Sequence, residues 1–181
     1  MPFTVVLDTC VLYPAHLRDT LLRLAERELY RPLWSADILD ELHRNLSSVA
    51  PAAVDHLLDQ MAMAFPEAEI DGYDSLIDGL TCDPKDRHVL AAAVRADADA
   101  IVTFNVADFP TSSLEGFGVE VLHPDDFLLD LFDLAPDLVL GALDDQGAAN
   151  RRAPKTTPEL ADALARAGAV AFADEVRRRS R

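Results

Sequence analysis

Apolar and polar positions along this chain fall into short alternating blocks. Phe3 to Leu7 is a run of apolar and β-branched residues, the pattern of a buried strand. From about Leu17 to Tyr30, Leu17, Leu21, Leu24 and Leu29 keep near-helical spacing among charged neighbours, and Pro32 ends that helix. Leu33-Trp34 predicts a very short extended piece. Ser35 then suits the N-cap of a helix through Leu46, with Ile38, Leu39, Leu42 and Leu46 as its buried stripe. Another helix is expected from Pro51 to about Met63. Asp83-Pro84 is the clearest start signal, an acid at the N-cap and proline at the first helical position. The helix it opens turns Val89, Leu90, Ala93 and Val94 inward and ends near Asp97. Residues 100–104 and 119–122 read as strands, with Phe109-Pro110 closing the loop between them. Strands alternating with helices predict an α/β fold, a parallel sheet flanked by helices.

After Pro124 the pattern changes. Residues 125–145 carry seven aspartates and no basic residue, interleaved with large apolar side chains at roughly helical spacing. Residues 150–158 read as a linker, and 158–179 as one helix whose closing arginines suit the helix dipole. The expected organisation is an α/β domain over 1–123 and a helical C-terminal extension over 124–181.

A length of 181 residues, half of them hydrophobic, suits one domain with an appendage. No apolar run approaches the roughly 20 residues of a membrane span, and the N-terminus lacks the pattern of a signal peptide. The expectation is a soluble, cytoplasmic protein. Cys10 and Cys82 lack zinc-type spacing and read as free buried thiols. The five histidines are isolated, and none receives a catalytic role. The net charge of −16 argues against broad nucleic-acid binding, since the global field repels phosphate. Any nucleic-acid partner must meet a local basic patch, or metal ions that screen a cluster of acids. Arg18, Arg44, Lys85 and Arg87 lie near the acids below and are within reach of a phosphate, although solvation is the ordinary fate of any one of them.

Open parallel sheets place sites at the C-terminal ends of strands. Asp8 follows the first strand directly. Glu41 lies in the second turn of its helix, Asp86 in the first turn of another, and Asp108 in the loop after the strand that Asn105 ends. Four carboxylates from distant positions can therefore converge on one rim. Together they repel one another and require a hard cation, Mg²⁺ or Mn²⁺, bound through oxygen. The chemistry that follows is phosphoryl transfer. With 32 acidic residues, any one of the four has an ordinary structural reading. Only Asp8, an acid ending an apolar strand, is unusual by itself.

Four segments carry a resemblance. Val5-Val6-Leu7-Asp8-Thr9-Cys10-Val11-Leu12 looks like the opening of PIN-domain ribonucleases, and residues 35–42, with Glu41, resemble the family's second motif. Asp83-Pro84-Lys85-Asp86 with the helix that follows resembles the third. Residues 101–110, ending Ala107-Asp108-Phe109-Pro110, are similar to the fourth. The match spans about residues 3–123 and is most like the VapC-type toxins of VapBC toxin–antitoxin pairs. The resemblance implies a PIN-like, Rossmann-like sheet and a Mg²⁺-dependent endoribonuclease acting on RNA. Asp8, Glu41, Asp86 and Asp108 would be its catalytic and metal-binding residues, with Thr9, Thr103 and Asn105 in support. It also implies a homodimer and a cognate antitoxin. It gives no role to the segment from Pro124 onward.

Other readings fit less well. A haloacid-dehalogenase-type phosphatase needs a second Asp where Cys10 stands. A response-regulator receiver domain needs a lysine after a late strand, and neither Lys85 nor Lys155 is placed there. A non-catalytic PIN-like scaffold would be expected to lose some of the acids. A structure-specific DNA nuclease would need insertions for which residues 1–123 have little room.

Overall fold

The computed structural model describes residues 3–180. In chain order the elements run β1 (Thr4–Leu7), α1 (Thr9–Leu12), α2 (Ala15–Glu26), β2 (Arg31–Ser35), α3 (Ala36–Ser47), α4 (Pro51–Ala64), β3 (Glu69–Ile70) and α5 (Asp74–Ile77). A 3-10 turn at Pro84–Asp86 leads into α6 (Arg87–Arg95) and β4 (Ala100–Val102). A second such turn at Val106–Asp108 precedes α7 (Thr111–Leu114) and β5 (Glu120–Leu122). Four helices follow: α8 (Pro124–Leu134), α9 (Pro136–Ala149), α10 (Thr157–Arg166) and α11 (Val170–Arg179).

The chain divides into two compact units. One holds residues up to Tyr13 and 30–122, and the other holds 14–29 together with the residues from His123 on. The five strands among the described residues belong to the first, in one parallel sheet of order β3-β2-β1-β4-β5. Val5, Val6 and Leu7 of β1 and Ala100, Ile101 and Val102 of β4 are fully buried, as expected of central parallel strands covered on both faces. Leu7 pairs with Val102, so the two strands end together. The chain builds outward from β1 through β2 to β3, then returns to the opposite side of β1 for β4 and β5. Strand order thus reverses between β1 and β4, and such a reversal opens a crevice at the strands' C-terminal ends. Asp8 and Thr103 are the first residues beyond those ends.

Two helix starts fix the rim further. Ser35 ends β2, and its hydroxyl accepts a hydrogen bond from the Ile38 N–H at 3.2 Å. An N-cap of this kind contributes about 1 kcal/mol and sets the start of α3. The side chain of Asp83 accepts from the Lys85 N–H at 3.1 Å. The helical segment therefore begins at the expected place but opens with a 3-10 turn, which leaves Asp86 at the N-cap of α6. The elements β3, α5 and α7, two to four residues long, are too short to produce a periodic pattern and were not expected.

In the second unit α2 packs with α9 and α10. Thr20 and Gln146 are fully buried there, and the Thr20 hydroxyl lies 2.7 Å from Gln146 Oε1. The Gln146 carboxamide donates to the His16 carbonyl at 3.1 Å. This unit thus takes in a helix that the sequence reading leaves with the N-terminal domain. The single helix expected over 158–179 is two helices. Gly168 between them has φ 109°, a conformation that costs a side-chain-bearing residue but not glycine. The turn lets Leu160 and Leu164 of α10 and Phe172 and Val176 of α11 all be buried in one core. Phe172 meets Phe132 of α8 edge to face at 6.0 Å. Among the described residues no helix is long and apolar enough to cross a membrane.

Candidate metal and active site

Asp8 is 4% exposed, and its carboxylate accepts hydrogen bonds from residues that follow β1 and β4. Its Oδ1 accepts from the Thr9 N–H at 2.7 Å, which caps α1. Its Oδ2 accepts from the Thr103 hydroxyl at 2.7 Å and from the Cys10 thiol at 3.4 Å. Thr103, itself fully buried, accepts in turn from the Asn105 N–H at 3.0 Å. The carboxylate is therefore locked in orientation across the β1–β4 crevice. The Thr9 hydroxyl points to α3, 3.2 Å from the Ile38 carbonyl and 3.3 Å from Glu41 Oε2. Its one hydrogen serves one of these acceptors at a time.

Asp86 sits in a different environment. It is buried, its side chain makes no capping bond, and Oδ2 has no hydrogen-bond partner among the described residues. Its nearest cation is the Lys85 ammonium, 3.8 Å from Oδ2, and the same ammonium lies 3.0 Å from Asp108 Oδ2. Burial, followed by the negative charges of Asp8 and Asp108, pushes the Asp86 carboxyl up to about 7, and Lys85 offsets only part of this. The Asp108 carbonyl accepts from the Asp83 N–H at 3.2 Å, which ties the two loops together.

The residues meet at a cleft of about 490 Å³ lined by Asp8, Cys10, Asp37, Glu41, Arg44, Lys85, Asp86, His88 and Asn105. Asp8, Glu41 and Asp86 thus share one wall system. Asp108 is not among the lining residues and joins the group through Lys85. Of the supporting residues, Thr9 and Thr103 bond to the acids, and Asn105 lines the cleft.

Sequence reasoning left three cleft residues without a role. Cys10 touches Asp8, and burial together with the Asp8 charge pushes its thiol up to about 12, so it remains a neutral donor. His88 has Nε2 4.0 Å from Glu41 Oε2, while its buried Nδ1 has no partner among the described residues. Asp37 accepts a hydrogen bond from the Tyr73 hydroxyl at 2.9 Å. Spacing held the signal. Cys10 and His88 each stand two residues past a motif acid, and Asp37 stands one helical turn before Glu41.

The donor set suits a hard cation. It consists of carboxylate oxygens, one of them buried and unpartnered, and an ammonium already stands against two of the acids. Among the described residues no three acid, histidine or cysteine side chains are gathered as a ready cage. An ion that retains several waters, as Mg²⁺ does, fits such open spacing.

Comparison with known proteins places the chain in a family. The PIN domain matches residues 4–107, and the VapC50 C-terminal domain matches residues 124–178. A protein of Mycobacterium tuberculosis named "Putative ribonuclease VapC50" is 45% identical over 97 residues, 51% of this chain and 55% of its own length. The chain thus spans about half the length of that relative. No solved structure matches. Asp8, Glu41 and Asp86 lie inside the PIN match, and Asp108 directly follows it. Since that match covers more than half of its residues, the chain belongs to the PIN-domain family.

Proposed function

We propose that this chain is a divalent-metal-dependent endoribonuclease in which Asp8, Glu41, Asp86 and Asp108 hold Mg²⁺ or Mn²⁺ over an RNA phosphodiester. The observation that carries the reading is Asp86, a buried carboxyl with an unpartnered oxygen, pushed up to about 7 beside two like charges. A group held in that state at a crevice is characteristic of a functional site. A bound ion supplies Lewis acidity and lowers the pKa of its water.

The chain's own residues do the rest. The Thr9 N–H and the Thr103 hydroxyl fix both oxygens of Asp8, so its charge is aimed before any ligand arrives. Thr9 also positions Glu41. Burial and the neighbouring negative charges favour the protonated form of Asp86 in the metal-free protein, and a bound cation would favour its carboxylate. Lys85 partly neutralises Asp86 and Asp108. Arg44, His88 and Asn105 face the same cleft as groups able to donate to phosphate. In a chain of net charge −16, RNA must be met by such local donors and by the ion.

The similarity to VapC50, and to the C-terminal domain that bears its name, supports reading the chain as the toxin of a type II pair. A cognate antitoxin and a homodimeric assembly belong to that reading, as does a cytoplasmic location. Purified protein is expected to cut single-stranded RNA with Mg²⁺ or Mn²⁺ and to be inactive in EDTA. Calcium should bind and support less turnover, because its looser shell positions water poorly. Strong cleavage by EDTA-treated protein would rule out the mechanism. Induced alone in bacteria, the chain should arrest growth and its Asp86→Ala variant should not. Equal growth of the two cultures would remove the toxin reading.

A further inference from the structure

A second hollow, of about 390 Å³, adjoins the acidic cleft and shares two of its walls, Cys10 and Glu41. Thr9, Tyr13, Asn45 and Ser48 complete it, so Glu41 is the one charged side chain among the described residues that line it. The change in chemistry follows a single helix. Glu41, Asn45 and Ser48 stand at positions i, i+4 and i+7 along α3 and its C-cap, which puts them on one stripe. That stripe begins at a proposed metal-binding carboxylate and ends in a carboxamide and a hydroxyl. The Asn45 side chain is exposed and has no hydrogen-bond partner among the described residues. The Ser48 hydroxyl donates to the Asn45 carbonyl at 2.7 Å, which leaves its oxygen able to accept. Tyr13, the C-cap of α1, contributes an aromatic ring that is 40% exposed.

A single RNA strand alternates a charged phosphate with a planar, uncharged base. Unpaired bases are recognised by stacking on aromatic rings and by hydrogen bonds to their edges. An acid-lined cleft followed by a nearly neutral hollow with one exposed ring and one unpartnered carboxamide matches that alternation. Among the described residues no cation lines the hollow to receive a second phosphate. Its volume falls in the roughly 300–1,000 Å³ range of small-ligand sites.

We propose that this hollow is a base subsite. It receives one unpaired nucleobase beside the phosphodiester held over the cleft, stacked on Tyr13 and read at its edge by Asn45 and Ser48. The proposal rests on the ribonuclease reading, and its test keeps the two separable. The full chain carrying Asp8→Asn, which should not cut, is mixed in Mg²⁺ with short single-stranded RNAs. In one set a 2-aminopurine, and in a second an abasic site, is moved one position at a time.

One position is expected to change in fluorescence on binding, and an abasic site at that position should weaken binding by about 10-fold. Adding Tyr13→Leu should weaken the intact RNA by a similar factor and leave the abasic RNA unaffected. Tyr13→Phe, which keeps the ring, should restore the discrimination, and Asn45→Ala should alter which base is preferred. Position-independent binding, or equal weakening of intact and abasic RNA by Tyr13→Leu, overturns the subsite. So does an absence of binding. If wild-type protein cuts RNA while these tests fail, the nuclease reading stands and the subsite falls. If wild-type protein leaves RNA uncut but the position-specific response is present, the subsite stands and the nuclease reading falls.

Discussion

Asp86 in the sheet unit and Asp125 in the helical unit both lie at a helix start, and their surroundings treat them in opposite ways. Asp125 Oδ1 accepts from the Phe172 N–H at 2.8 Å and its Oδ2 from the Ala171 N–H at 2.9 Å, satisfying two donors that the start of α11 would otherwise leave open. Asp86 makes no such bond, and one of its oxygens is buried without a partner. A helix dipole favours a carboxylate by only about 0.3–1 kcal/mol. At Asp86 burial and two neighbouring negative charges outweigh it. The contrast extends to other acids. Asp145 meets Arg27, Asp162 meets Arg177 and Asp144 accepts from Thr157, all within the helical unit. At the sheet's crevice Asp86 and Asp108 share one lysine. Proximity to a helix start does not separate a structural acid from a functional one. Under the proposed assignment, the supply of partners does.

The contrast is broken most directly by removing charge at each place. Asp8→Asn keeps the size of the side chain and is expected to reduce Mg²⁺-dependent RNA cleavage by at least ~10²-fold, the scale on which preorganised charge acts in active sites. Its fold should persist, because one negative charge leaves a repulsive group, and its metal-free melting midpoint should hold or rise. Asp125→Asn, in contrast, should cut RNA at the wild-type rate per folded molecule. An Asp8→Asn protein that is unfolded by circular dichroism would make Asp8 a structural residue and refute its assignment.

A second test sharpens the comparison through pH. The Asp86 carboxyl lies near 7 in the folded protein, against an ordinary value of 3.8. Between those values the folded state holds a proton that the unfolded state has released, so stability falls as pH rises. The loss is absent below about 4 and complete above about 7. Denaturant unfolding in EDTA should therefore show wild type losing stability relative to Asp86→Asn as pH rises from 4 to 8. Mg²⁺ at pH 8 should restore the wild type far more than the variant. Parallel pH curves for the two proteins would mean that the carboxylate is not held under repulsion.

Much of the candidate site was legible because its acids interrupt strong local patterns. Asp8 ends an apolar strand, Asp86 follows Asp83-Pro84, and Glu41 lies on a helix capped by Ser35. Less legible was whatever depends on distant pairing. The bond from Thr103 to Asp8 spans 95 residues, and nothing local in the pattern announces that β4 lies beside β1. Thr20 and Gln146, 126 residues apart, gather α2 with the C-terminal helices. His88 reads as an isolated histidine until α6 carries it to Glu41. The break at Gly168 escaped because the apolar spacing continues through 167–169, and only the backbone angle reveals the turn.

The smallest expected effect belongs to Asp125, and it completes the comparison. Asp125→Ala removes the acceptor for two backbone N–H groups at the start of α11. Helix-capping changes of this kind cost about 1 kcal/mol. Asp125→Asn retains one acceptor oxygen and should lose less. Both losses should be the same with EDTA or Mg²⁺, because the bonds are to backbone and lie outside the acid-lined cleft. At Asp86 the corresponding change to Asn should stabilise the metal-free protein above pH 7 and destabilise it relative to wild type once Mg²⁺ is added. The measurement is a set of thermal melts at pH 8 for wild type, Asp125→Ala, Asp125→Asn and Asp86→Asn, each with and without the ion. If the Asp125 variants also gained or lost stability with Mg²⁺, the two acids would not differ in kind, and partner supply would fail as the criterion that separates them.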